Sequence, residues 1–137
     1  MSSENGNRPC ILLIDEDDEA RPLLKENLKR YGYRVMLALD EEDALERVGG
    51  RLTQADLLLI DLIDKPAQEV LGVGRRIRRH AKYDGRTPLV VLAESYGADV
   101  EGTDVNVGDN DWITYLEDHN QLKNLLGRLT LKNESSA

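Results

Sequence analysis

A chain of 137 residues is long enough for one domain with a packed core and too short for two ordinary ones. Apolar residues make up 40% of it, but Phe is absent and only five Tyr and one Trp occur, so the core must be built from Leu, Val and Ile. The net charge of -8, the polar start MSSENGNRP and the lack of any apolar run near the ~18 residues needed to span a bilayer exclude a membrane protein and a secretory signal, and point to the cytoplasm.

The first element is the run ILLI at 11–14, apolar at every position, which stops abruptly in the five carboxylates of residues 15–19. A run that apolar is a buried strand, and carboxylates so crowded need solvent, a cation or a partner to compensate them. Cys10, at the edge of this strand, has no second thiol for a disulfide or a metal site and reads as packing.

Asp18 is placed to cap a helix through Leu23, Leu24 and Leu28, with Pro22 in its first turn and Gly32 at its end. YRVMLAL at 33–39 is a strand. Asp40 caps the short helix EEDALERV, which stops at Gly49 and Gly50. ADLLLID supplies a third strand at 57–60 with Asp61 at its carboxyl end, and residues 67–80 form a helix weakened by Gly72 and Gly74. Thr87 and Pro88 open the strand LVVLA, and DWITYL near 111–116 is a fifth strand before the amphipathic helix QLKNLLGRL.

Strands alternate with helices, and three strands are apolar without a half-exposed pattern, which marks a parallel sheet covered on both faces. Residues 94–110 do not fit: where a fourth helix belongs there are three Gly and several Asp, Asn, Thr and Val, so the expectation is an irregular loop with at most a short helical turn. Residues 9–131 form the domain, between polar tails at 1–8 and 132–137.

Charge divides the chain. Residues 75–86 hold six cations and one acid, leaving the rest near roughly -13, while residues 87–122 contain eight acids and no Lys or Arg. The basic run has no interleaved aromatics and reads as a solvated helix end, not a nucleic-acid surface. The acidic stretch does not match a Ca²⁺ loop, since Tyr115 falls where the bidentate Glu belongs, and it argues for a basic partner. His80 and His119 have no metal-ligand spacing and read as surface residues.

In open parallel sheets ligands bind beyond the carboxyl ends of the strands, where strand order reverses. In the order 2-1-3-4-5, Asp15 and Asp61 end neighbouring strands and, with Glu16, share one oxygen-rich pocket of the kind that suits Mg²⁺.

With these pieces in order, the chain resembles the receiver domains of bacterial two-component response regulators. ILLIDE corresponds to the strand with its acidic pair, LLLID to the strand ending in the phospho-accepting aspartate, TPLVVLA to the fourth strand and GDNDWITYL to the fifth. The resemblance implies a doubly wound, flavodoxin-like five-stranded fold and phosphoryl transfer to Asp61 from a histidine kinase or phosphotransfer protein. It also implies Mg²⁺ held by Asp15, Glu16, Asp61 and the carbonyl of Ile63, and an output by protein contact from a stand-alone receiver. A homodimer is compatible with this; nucleic acid and membrane are not expected partners.

Two positions depart from the family. Ala93 stands where a Ser or Thr hydroxyl follows the phosphoryl group, and Tyr115, followed by Leu116, stands where a Lys is usual. Lys65 in the loop after Asp61, Ser95 and the Tyr115 hydroxyl are the candidate substitute donors. Trp112 occupies the place of the family's aromatic switch, and without a hydroxyl at Ala93 it reads as static. Two other readings stay open: a phosphorylation-independent interaction module on the same fold, and a phosphatase of the haloacid-dehalogenase type with Asp15 as nucleophile and Asp17 as acid/base.

Overall fold

The computed structural model describes residues 8–49, 55–83, 87–94, 96–108 and 110–135, with side chains to residue 130. Ten elements follow in chain order: β1 (Cys10–Asp15), α1 (Arg21–Arg30), β2 (Arg34–Ala38), α2 (Glu41–Gly49), β3 (Leu57–Asp61), α3 (Ala67–His80), β4 (Leu89–Leu92), β5 (Thr103–Asn106), β6 (Asp111–Tyr115) and α4 (His119–Ser135). They build one sheet in the order β2-β1-β3-β4-β6-β5. The first five strands of that order are parallel, and β5 lies antiparallel on the edge beside β6.

The strands are continuously apolar because both sheet faces are covered, and alternate residues serve opposite faces. Leu12, Ile14, Leu58, Ile60 and Val91 pack with Ala44 and Val48 of α2 and Val70 and Ile77 of α3. Ile11, Leu13, Leu57, Leu59 and Val90 pack on the other side with Leu28 of α1 and Leu122, Leu125 and Leu126 of α4. Gly74 lets α3 lie close to the sheet, since a Cβ there would fall 2.9 Å from Ile60 Cδ1 and nearer still to Leu89. The glycine that weakens helix propensity is thus a packing requirement.

Two expectations are corrected. The sheet has six strands, not five, because 94–110, otherwise turns and irregular chain without a helix among its described residues, as expected, contains the short strand β5. Its period-two pattern, with Thr103, Val105 and Val107 alternating with Asp104 and Asn106, is a strand signal hidden among poor helix formers. Gly102 makes the entry turn at φ +86 and donates its N–H to the Tyr115 carbonyl at 2.7 Å. Asp18 does not cap α1. The Asp17 carboxylate accepts from the N–H groups of Glu19 and Ala20 at 2.9 and 3.2 Å, while Asp18 pairs with Arg21. The cap foreseen at Asp40 does form, accepting from Asp43 N–H at 2.8 Å.

The basic run is only partly a solvated surface. Arg75 and Arg78 both hold buried Asp111 at 2.8 Å, and Arg76 grips Glu41 through two hydrogen bonds of 2.6 and 2.9 Å. These pairs tie α3 to β6 and to α2, leaving Arg79, His80 and Lys82 exposed. Residues 84–86 of the run, Gly50, residues 1–7 and residues 136–137 lie outside the described residues. His119 is exposed and Cys10 is buried, its thiol pushed up in pKa first by burial, as fits packing and not nucleophilic chemistry. Among the described residues no helix is long and apolar enough to cross a membrane.

Candidate functional site

The register of the sheet brings the acids together. Asp15 and Asp61 are paired positions at the carboxyl ends of β1 and β3, and the Glu16 N–H donates to the Asp61 carbonyl at 3.1 Å. Hydrophobic burial of both strands thereby fixes two carboxylates side by side where strand order reverses.

Asp15 is fully buried. One carboxylate oxygen accepts from Asp17 N–H at 2.9 Å, and the other, Oδ2, is buried with no hydrogen-bond partner among the described residues. Burial raises its pKa, opposed chiefly by that backbone N–H. Asp61 is driven further, to about 7, first by burial and then by the charges of Asp15, Glu94, Asp17 and Glu16. A carboxyl raised this far by burial, and further by the charges of its neighbours, marks a site short of positive charge.

Glu16 is engaged differently. Its Oε1 accepts from Ile63 N–H at 2.9 Å, and its Oε2 lies 3.6 Å from the Lys65 ammonium. It pins the loop after β3, in which Asp64 adopts a left-handed φ of 59. Among the described residues no three His, Cys, Asp or Glu side chains converge as a ready cage for a metal. Of the expected ligands, Asp15 and Asp61 stand side by side with an orphaned oxygen and a mutual repulsion that a cation would relieve, while Glu16 is turned to the Ile63 N–H and Lys65.

The sequence reading did not foresee three neighbours. Glu94, just after β4, raises the Asp61 pKa and accepts weakly from Asp64 N–H at 3.4 Å. Arg21, one turn past the acids, donates to the Asp15 carbonyl at 2.9 Å. Tyr96 sets its ring edgewise against that of Tyr115, with centroids 5.4 Å apart, and its hydroxyl donates to the Leu116 carbonyl. Only Arg21 left a trace in the sequence, as the first cation after the acids; the other two depend on how 94–110 folds. A pocket of about 380 Å³ opens beside the acids, lined by Glu16, Glu41, Leu45, Leu62, Lys65 and Val73.

The altered positions fall as follows. Ala93 packs against the α2/α3 core and donates its N–H to the Thr114 carbonyl at 3.1 Å, with no hydroxyl to offer. Tyr115 belongs to the same core and is flanked by Tyr96. Trp112 faces the other way, into the α1/α4 core, with the Arg128 guanidinium 5.9 Å above its ring and its indole N–H buried without a partner among the described residues. Ser95 lies outside the described residues.

No family model matches the chain. Among curated proteins it is similar to the transcriptional regulatory protein AfsQ1 of Streptomyces coelicolor, 36% identical over 84 residues, or 61% of this chain and 34% of that protein. It is also similar to the transcriptional regulatory protein CpxR of Escherichia coli, 34% identical over 82 residues, or 60% of this chain and 32% of that one. The chain spans about a third of the length of these relatives. Among solved structures, the response regulator TrrA of Thermotoga maritima, in complex with Mg²⁺ and BeF, is 25% identical with a TM-score of 0.61, covering 88% of this chain and 98% of its own. The receiver domain of a sensor histidine kinase from Pseudomonas aeruginosa, with magnesium in its active-site cleft, gives a TM-score of 0.63 at 22% identity, over 90% and 98%. The fold is that of response-regulator receiver domains, and the partial sequence similarity falls on the same class of signalling proteins.

Proposed function

We propose that the chain accepts a phosphoryl group at Asp61 from a phosphohistidine of a histidine kinase or phosphotransfer protein, and passes the signal on by protein contact. The observation that carries this reading is the buried, unpartnered Asp15 Oδ2 beside the register-paired Asp61. The magnesium carried by two structural neighbours supports the same choice of ion.

Mg²⁺, when bound, supplies the positive charge that lets one anion attack another. Asp15, Asp61 and the Ile63 carbonyl would hold it, while Glu16 keeps the loop and Lys65 in place. A carboxylate oxygen of Asp61 forms the new O–P bond as the N–P bond of the donor breaks, and the leaving imidazole nitrogen keeps the electron pair. The absence of a donor at Ala93, and the packing of Tyr115 against Tyr96, favour a second reading in which the domain works by contact without phosphorylation.

Incubation with Mg²⁺ and a small phosphoryl donor, followed by intact mass measurement, separates the two. The native chain gains one phosphoryl group and Asp61→Asn gains none. An unlabelled native chain sinks the first reading in favour of the second.

A further inference from the structure

β5 closes the sheet as an edge strand, paired with β6 on one side only among the described residues. Such a strand presents a row of backbone N–H and C=O groups, and protein edges are commonly blunted by Lys, Pro or a charge pointing across the strand. The sequence TDVN has neither Lys nor Pro. Its one charge, Asp104, is turned to the α4 side and satisfied there: it accepts from Thr114 at 2.6 Å and Gln121 at 2.8 Å, with Arg128 3.4 Å away. Thr103, Val105 and Asn106 are exposed, Val105 by 39%.

The surroundings select the partner. Asp99 and Glu101 are exposed just before the strand, the Glu117 carboxylate lies against Gly102 at its start, and Asp118 is exposed beyond it. The whole stretch 88–122 holds no Lys or Arg to offset them. A second copy of this chain pairing edge to edge would set these acids against their own counterparts, and Val105 alone is too little apolar surface to outweigh that.

We propose that the outer edge of β5 takes an extended, positively charged segment of a partner protein, which adds a seventh strand to the sheet. Backbone hydrogen bonds along β5 supply the attachment, and Lys or Arg side chains alternating along the incoming strand meet the surrounding acids. The proposal needs no phosphoryl chemistry and is independent of the role of Asp61.

The test uses the full chain, isotope-labelled, titrated with a peptide of alternating Lys and Val. Two control peptides are its Glu-for-Lys twin and a twin with alternate backbone amides N-methylated. The expected result is slowed amide exchange confined to residues 102–106, affinity that falls with added salt, no binding of the Glu twin, and binding of the methylated twin weaker by at least about tenfold. Asp99→Lys with Glu101→Lys, both at exposed positions, should weaken binding of the Lys peptide about tenfold while leaving the circular dichroism unchanged. Equal binding of the methylated twin, protection elsewhere than β5, no binding of the Lys peptide, or dimerisation through β5 in its place would each overturn the proposal.

Discussion

The two halves of the sheet are built to different ends. On the β2-β1-β3 side, the strands deliver Asp15 and Asp61 to one place, leave an oxygen unpaired and raise the Asp61 pKa to about 7, so that half is electrostatically unfinished. On the β4-β6-β5 side the two positions where the resemblance to receivers leads one to expect a hydroxyl and a Lys are occupied otherwise. Ala93 has no donor, and Tyr115 is packed against Tyr96. Asp104, Thr114, Gln121 and Arg128 form a clasp that binds β5 to β6 and α4. The contrast teaches that the capacity to accept charge and the capacity to respond to it reside in separable parts of one fold.

The sharpest break of this contrast is Asp15→Asn against Asp104→Ala. Removing the buried carboxylate should weaken Mg²⁺ binding, read by calorimetry, at least about tenfold, since even outer partners of metal ligands are worth that much. Asp104→Ala should leave Mg²⁺ binding unchanged. A matching loss in both variants would show the halves to be one unit.

Stability should respond in the opposite sense. Thr114 is fully buried, and its hydroxyl, bonded to Asp104 and Gln121, is the centre of the clasp. Thr114→Val removes the hydroxyl's hydrogen bonds while Asp104 and Gln121 keep each other as partners, and should cost about 0.5–1.5 kcal/mol in denaturant unfolding, with phosphoryl labelling at Asp61 intact.

The acid half carries a pH signature. Between the ordinary aspartate value of 3.8 and about 7, the folded chain keeps a proton on Asp61 that the unfolded chain has lost. The contribution of Asp61 to stability therefore falls as pH rises through that window, the reverse of a salt-bridged aspartate. Asp61→Asn should raise the melting temperature at pH 8 and change it little at pH 4. An equal gain at both values would mean that the neighbouring charges do not act on Asp61.

How legible each half was follows from what controls it. Asp15 and Asp61 could be paired in advance because an apolar strand run and its terminal acid are local features, and parallel order then sets their neighbours. The same locality foretold the cap at Asp40. β5 was missed because its period-two pattern is only a few residues long and is flanked by Gly102, Gly108 and Asp and Asn residues that read as loop, so that pairing with β6 decides the matter. Glu94, Tyr96 and the Asp104 clasp are contacts across that pairing, and Arg75 and Arg78 were read as solvated because their acceptor, Asp111, is 36 and 33 residues away in sequence. Sequence patterns report an element's own burial; they are silent on which side chain it meets.

The smallest expected effect concerns Trp112, and it bears most directly on the responding half. Its side chain is in the α1/α4 core, across the sheet from Ala93 and Tyr115, with Arg128 over the ring. Moving it towards the acid site would mean crossing the plane of β6 and giving up both the core contacts and a cation–π contact worth roughly 0.5–1 kcal/mol. With no hydroxyl at Ala93 to reward such a move, the indole should stay in place when the site is filled. Trp112 fluorescence should then be unchanged in intensity and wavelength on adding Mg²⁺ with beryllium fluoride, while Asp104→Ala, which frees Arg128 from its carboxylate partner, should shift it. A change on ligand addition in the native chain would show that the two halves communicate after all, by a route other than the side chains at 93 and 115.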